Sequence, residues 1–119
     1  MIQRQHRFWG RSSIDRVHKQ GRVERSKQLN LKYMPGRDNW RLAVVVSKKV
    51  AKSAVTRNRI RRRLFEIVRL TPIQKPHDML LVVHSADLAS MPAPELQRIV
   101  AGLLSKSGIS GTITPKKER

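Results

Sequence analysis

Apolar residues recur along this chain with two periods, one of two and one near 3.6, and the alternation of the two outlines an α+β domain. Leu29, Leu31 and Tyr33 alternate with Asn30, Lys32 and Met34. Gln28 to Met34 is therefore expected to be a strand with Tyr33 on its core face. Leu42 to Val46 is a continuous apolar run, so Arg41 to Ser47 should be a strand covered on both faces and central in its sheet. Asp78 to His84, with Met79 to Val83 apolar, should be a further buried strand, and Arg22 to Glu24 a short first one. Helical spacing occurs three times. Ile14 and Val17 mark a short helix capped by Ser12 or Ser13 and ending before Gly21. Ile60, Leu64, Ile67 and Val68 mark a long helix from about Ser53, and Leu96, Ile99, Val100, Leu103 and Leu104 a last one from Pro94 to Ser105. Pro35-Gly36 and Asp38-Asn39 predict a turn, and the two prolines in Thr71 to Pro76 an end to regular structure. Ser85 to Ala93 is expected to be a loop, and Trp40 a packing residue. The resulting order is αβββαβα, with no internal repeat.

Length and composition narrow the class. A chain of 119 residues supports one core and one domain, residues 1-119. Residues 1-5, in a basic segment patterned only at Phe8 and Trp9, and the Gly- and Lys-rich 108-119 are expected to be flexible around a 6-107 folded core. Lys and Arg number 26 against 8 Asp and Glu, for a net charge of +18. That excess favours nucleic acid or an anionic surface as partner. No apolar run approaches the roughly 20 residues of a membrane span, and Met1 to Gly10 has no hydrophobic signal core, so a cytoplasmic protein is expected. The absence of cysteine excludes disulfides and thiolate metal sites.

The charge is concentrated. Lys48, Lys49, Lys52, Arg57, Arg59, Arg61, Arg62 and Arg63 follow one another without an acidic residue. Helical phase puts Asn58, Arg62, Phe65 and Arg69 on the face opposite Ile60 and Leu64, flanked by Arg59, Arg63 and Glu66. A solvated helix face would mix signs, yet Glu66 is the only carboxylate between Asp38 and Asp78. Six arginines from Arg57 to Arg69 suit phosphate, because guanidinium presents a planar fork of donors. Arg57 lies near the edge of the apolar face.

At these residues the chain resembles the protein subunit of bacterial ribonuclease P. The family ends a strand with a Lys-Lys pair, matched by Lys48 and Lys49, and opens a basic helix with Arg-Asn-Arg, matched by Arg57, Asn58 and Arg59. Ile60, Arg61, Arg62 and Leu64 continue the match, and the likeness runs from about His6 to Ser107. Ala51 departs from a common glycine, the Lys pair lies one residue further from Arg57 than in many members, and Phe65 and Val68 replace residues often Arg and Phe. The resemblance implies a two-layer α/β sandwich like ribosomal protein S5 domain 2, with a mixed four-stranded sheet and a left-handed βαβ crossover, against the usual right-handed rule. It implies that Lys48, Lys49, Lys52, Arg57, Asn58, Arg59, Arg61, Arg62, Arg63 and Arg69 bind the ribonuclease P RNA. It places the 5′ leader of precursor tRNA in a cleft where Ile14 and His18 of the first helix face Asn30 and Lys32. Mg²⁺ is then expected mainly on the RNA subunit, which performs the hydrolysis, and no obligate protein partner is evident.

The chain's own chemistry agrees with that division of labour. A protein ribonuclease needs a paired acid and base or clustered carboxylates, whereas His6, His18, His77 and His84 are dispersed and no DxD or ExD spacing occurs. A ribosomal or other structured-RNA-binding protein would share the basic helix without a leader cleft. A DNA-binding protein would be expected to show a helix-turn-helix or a dimer interface, and neither is evident.

Overall fold

The expected order of helices and strands is the one found in a computed structural model, which describes residues 11–36, 39–71, 73 and 76–109. Helix α1 spans Arg11–Gln20, followed by strands β1 (Arg22–Arg25), β2 (Leu29–Pro35) and β3 (Arg41–Val45). Helix α2 (Ala54–Leu70), strand β4 (His77–Val83), a 3-10 turn at Ala86–Ala89 and helix α3 (Ala93–Ser107) complete the chain. The 3-10 turn occupies the segment expected to be loop. Ser12 and Ser13, expected just before the helix, lie within α1, which already includes Arg11. Residues 1–10 and 110–119, residues 37 and 38 of the expected turn and residues 72, 74 and 75 lie outside the described residues.

The sheet runs β1-β2-β4-β3, with β1-β2 and β2-β4 antiparallel and β3-β4 parallel. Strand β3 is therefore an edge strand and not a central one. Its apolar run has a different cause, since helices cover both faces of the sheet. Leu42, Val44 and Val46 join the main core beneath α2 and α3, while Ala43 and Val45 belong to a smaller cluster with Val17 of α1 and Leu80 of β4. The same alternation sorts β2. Leu29, Leu31 and Tyr33 are buried in the main core as expected, and Met34 faces the smaller cluster.

Each helix is held by the residues its period singled out. Ile60, Leu64 and Val68 of α2 are fully buried, as are Leu96, Val100, Leu103 and Leu104 of α3 to within 2%. A buried side chain of this size contributes about 1.5–3 kcal/mol, so these seven positions fix α2 and α3 on the sheet. At its start α2 is capped by Ser53, whose Oγ accepts from the Thr56 amide. At the end of α1, Gly21 donates to the Val17 carbonyl at 2.9 Å, and a Cβ there would stand 2.6 Å from that oxygen. Only glycine lets α1 turn so closely onto β2. The folded body extends past the expected boundary at 107. Gly108 takes a left-handed conformation, φ 82°, and its successor Ile109 donates to Leu104 and is buried in the core.

Across the parallel pair, Arg41 grips the buried Asp78 with two hydrogen bonds of 2.8 Å. The two residues are register partners, so this bridge fixes the crossover strands against each other. The bond to Asp78 is also what raises the Arg41 pKa above its usual value.

Candidate nucleic-acid interface

The basic stretch divides in the structure into cations that hold the fold and cations that face solvent. Lys48 and Lys49 sit on a turn closed by Val50 and Ala51 amides donating to the Ser47 carbonyl, each at 3.1 Å. Ala51 pins that turn, its side chain buried in the main core. The departure from a common glycine thus supplies a packing methyl. Arg57 donates through one nitrogen to the Ala51 and Lys52 carbonyls, both at 2.9 Å. It ties the lysine-bearing loop to the first turn of α2.

Two more arginines are committed to the protein. Arg63 is half-buried and donates to the Leu88 carbonyl at 2.7 Å and to the Met91 carbonyl, joining α2 to the 3-10 turn and the approach to α3. Arg61, also half-buried, reaches the Val44 carbonyl at 3.4 Å and the Asn58 Oδ1 at 3.1 Å. The second contact occupies the amide oxygen of Asn58 and turns its N–H₂ into the group left for an external acceptor. Arg69 pairs with Glu66, which raises the arginine pKa and lowers that of the exposed carboxylate. The expectation that Phe65 points outward is corrected as well, because it packs half-buried against the main core.

What remains free is a coherent set. Lys48, Lys49, Lys52, Arg59 and Arg62 are exposed and, among the described residues, their side chains make no hydrogen bond or ion pair. They occupy the turn and the outer side of α2. Five unpaired cations held on a rigid helix and an anchored turn are suited to successive phosphates.

A second polar site lies on the sheet's other side. His18 of α1 and Lys32 of β2 meet with Nζ 2.9 Å from Nδ1. Since the ammonium can only donate, Nδ1 is the acceptor and the ring proton sits on Nε2. Asn30 projects two residues along from Lys32, on the same strand face. Ile14 differs from the other expected cleft residues, because it packs against the Val17 and Leu80 cluster. Its apolar side chain serves mainly to seat α1. Partial burial, and then the charge of Lys32, lower the His18 pKa below 6.5, while Asp15 opposes them.

The sign of that shift gives a testable pH dependence. A histidine whose pKa falls on folding contributes stability above its unfolded pKa near 6.5, and loses it as pH drops through the lower folded value. On going from about pH 7.5 to about 5.5, the native chain should lose more melting temperature than His18→Gln does. Thermal melts of both proteins at the two pH values check this.

No group of three or more His, Cys, Asp or Glu side chains able to hold a metal ion occurs among the described residues, and no helix there is long and apolar enough to cross a membrane. The family model described as Ribonuclease P matches residues 2–108. A ribonuclease P protein component of Thermus scotoductus is 44% identical over 91 residues, covering 76% of this chain and 54% of the relative. The chain thus spans a little over half the length of that relative, and 59% of the one from Thermus brockianus. The ribonuclease P protein component of Roseiflexus castenholzii is 35% identical, covering 98% of this chain and all of the relative. Among solved structures, the ribonuclease P proteins of Staphylococcus aureus and Thermotoga maritima share the fold, with TM-scores of 0.76 and 0.74. Their identities are 23% and 22%, covering 88% and 84% of this chain and 97% and 96% of theirs.

Proposed function

The chain belongs to the ribonuclease P protein family, and we propose that it acts as the protein component of that endoribonuclease, binding the catalytic RNA subunit and the 5′ leader of precursor tRNA. The observation that carries this reading is the separation of two polar sites on one rigid sheet. Lys48, Lys49, Lys52, Arg59 and Arg62 form one site on the turn and α2, and His18, Lys32 and Asn30 the other, on the face covered by α1. A protein so built holds two RNA segments at once.

In this reading the free arginines and lysines engage phosphates of the RNA subunit, with Arg57 orienting the lysine turn and Asn58 offering its amide N–H₂. The leader runs past α1. Lys32 supplies charge there, and the Nε2–H of His18 and the amide of Asn30 supply hydrogen bonds. Stacking has little part in this reading, because no aromatic side chain among the described residues joins these three. Mg²⁺ belongs on the RNA side of the assembly. The donors at the α2 face are guanidinium and ammonium groups, which repel a divalent cation. The protein's contribution is to fix the substrate strand and to neutralise phosphate charge.

Lys32→Ala should accordingly weaken binding of precursor tRNA to the reconstituted holoenzyme by about fivefold to tenfold and leave mature tRNA, which lacks the leader, unaffected. His18→Ala should produce a smaller change in the same direction. Tyr33 faces the core and should act only through stability. The measurement is the ratio of precursor to mature affinity for each variant. An unchanged ratio for Lys32→Ala would remove the leader from this cleft and favour a general structured-RNA-binding role.

A further inference from the structure

The groove between α2 and α3 shares only Arg62 with the two sites above. Ile67 and Glu66 form its α2 wall and Ala93 and Gln97 its α3 wall, with the buried Leu96 beneath them, and its volume is about 390 Å³. Beyond Ile67 on the same side of α2, Leu70 stands 65% exposed, so the apolar surface continues outward along the helix. The charges around the groove are uneven. Glu66 is neutralised by Arg69, and Arg63 is turned to backbone carbonyls, whereas Arg62 is exposed and has no partner among the described residues. The first residue of α3 is Ala93, and no side chain caps that helix end. Its positive dipole end thus adds to the charge of Arg62.

An inorganic anion would use Arg62 and leave the apolar walls wet. A purely apolar ligand would fill the walls and gain nothing from the cation. A nucleotide has a flat base for the one and a phosphate for the other. The cations also continue away from the groove, with Arg59 one turn before Arg62 on the exposed side of α2 and Lys52 beyond it. A free nucleotide has no use for these, while the neighbouring phosphates of a strand do.

We infer that this groove holds one unstacked nucleotide of an RNA strand lying along α2, with its base against Ile67 and Ala93 and its phosphate on Arg62. The inference rests on the reading that α2 carries RNA. It adds a base-dependent component to a contact that would otherwise depend on phosphates alone.

The test is a nuclear magnetic resonance titration of the full chain with three probes: an adenosine trinucleotide, the same strand with an abasic central residue, and adenosine monophosphate. The intact trinucleotide should shift the Ile67, Ala93 and Leu96 amides saturably, and the abasic strand should bind about tenfold more weakly. Ala93→Trp, which fills the groove from an exposed helix position, should reduce the intact strand to the abasic level without lowering the melting temperature. Equal binding of the intact and abasic strands in the native chain would overturn the inference whether or not the variant folds. Adenosine monophosphate binding as tightly as the trinucleotide would make the groove a free-nucleotide site and overturn it too. Failure of the broader reading would look different, since structured RNA would then bind with little dependence on salt.

Discussion

The double variant Arg59→Ala, Arg62→Ala is expected to bind the ribonuclease P RNA at least about tenfold more weakly than the native chain while melting at the same temperature. Both side chains are exposed and neither makes a hydrogen bond or ion pair among the described residues, so truncation breaks no internal polar bond. Helix α2 also keeps its buried Ile60, Leu64 and Val68 and its Ser53 cap. What the variant loses is two phosphate contacts. Each neutralised phosphate adds about 0.9 to the slope of log affinity against log salt on a duplex, so the slope should fall by roughly two. Weakened binding with an unchanged slope would mean that the arginines act through something other than phosphate. Filter binding across a salt series, paired with thermal melts, separates these outcomes.

The opposite behaviour is expected of Arg63→Ala. Its guanidinium satisfies the Leu88 and Met91 carbonyls, and both of those residues are buried. Losing a charged donor to such groups costs about 1.5–3 kcal/mol, so the variant should be destabilised by about 2 kcal/mol. Its affinity for RNA, measured well below the melting temperature, should change far less than in the double variant. Arg63→Lys should recover only part of the stability, since one ammonium does not reproduce a fork that spans two carbonyls. A native melting temperature for Arg63→Ala with a large loss of RNA affinity would show that Arg63 faces the RNA instead. Chemical denaturation and RNA titration on the same preparation give both numbers.

This contrast marks how far the sequence could be read. Period alone identified the residues that bury α2, because a side chain's phase on a helix decides whether it meets the sheet. The alternation in β2 likewise separated Tyr33 from Asn30 and Lys32, and the structure keeps them on opposite faces. Phase did not decide which arginines are free. Arg57, Arg61 and Arg63 lie near the margins of the buried face, where a long side chain reaches either solvent or a carbonyl. The carbonyls that capture Arg63 belong to Leu88 and Met91, 25 and 28 positions along the chain, and no local pattern announces such partners. The same limit explains β3. An apolar run reports that both faces are covered, and here an edge strand meets that condition because α1 packs on the face away from α2. The groove between α2 and α3 was equally unreadable, being made by two helices that are distant in sequence.

The pairing of His18 with Lys32 illustrates a site whose parts were visible but whose chemistry was not. The residues could be assigned to facing elements, yet only the 2.9 Å contact fixes the ring proton on Nε2 and presents it as a donor. Ile14, read with them as a cleft residue, packs half-buried against the apolar cluster beneath α1.

The most direct test of the account is cleavage of a precursor tRNA by the ribonuclease P RNA, with and without this protein, at a magnesium concentration limiting for the RNA alone. The account predicts that the native chain accelerates removal of the 5′ leader, that the Arg59→Ala, Arg62→Ala variant does so only at higher protein concentration, and that the protein by itself cleaves nothing. Cleavage by the protein without RNA, or no acceleration when the two are combined, would contradict it.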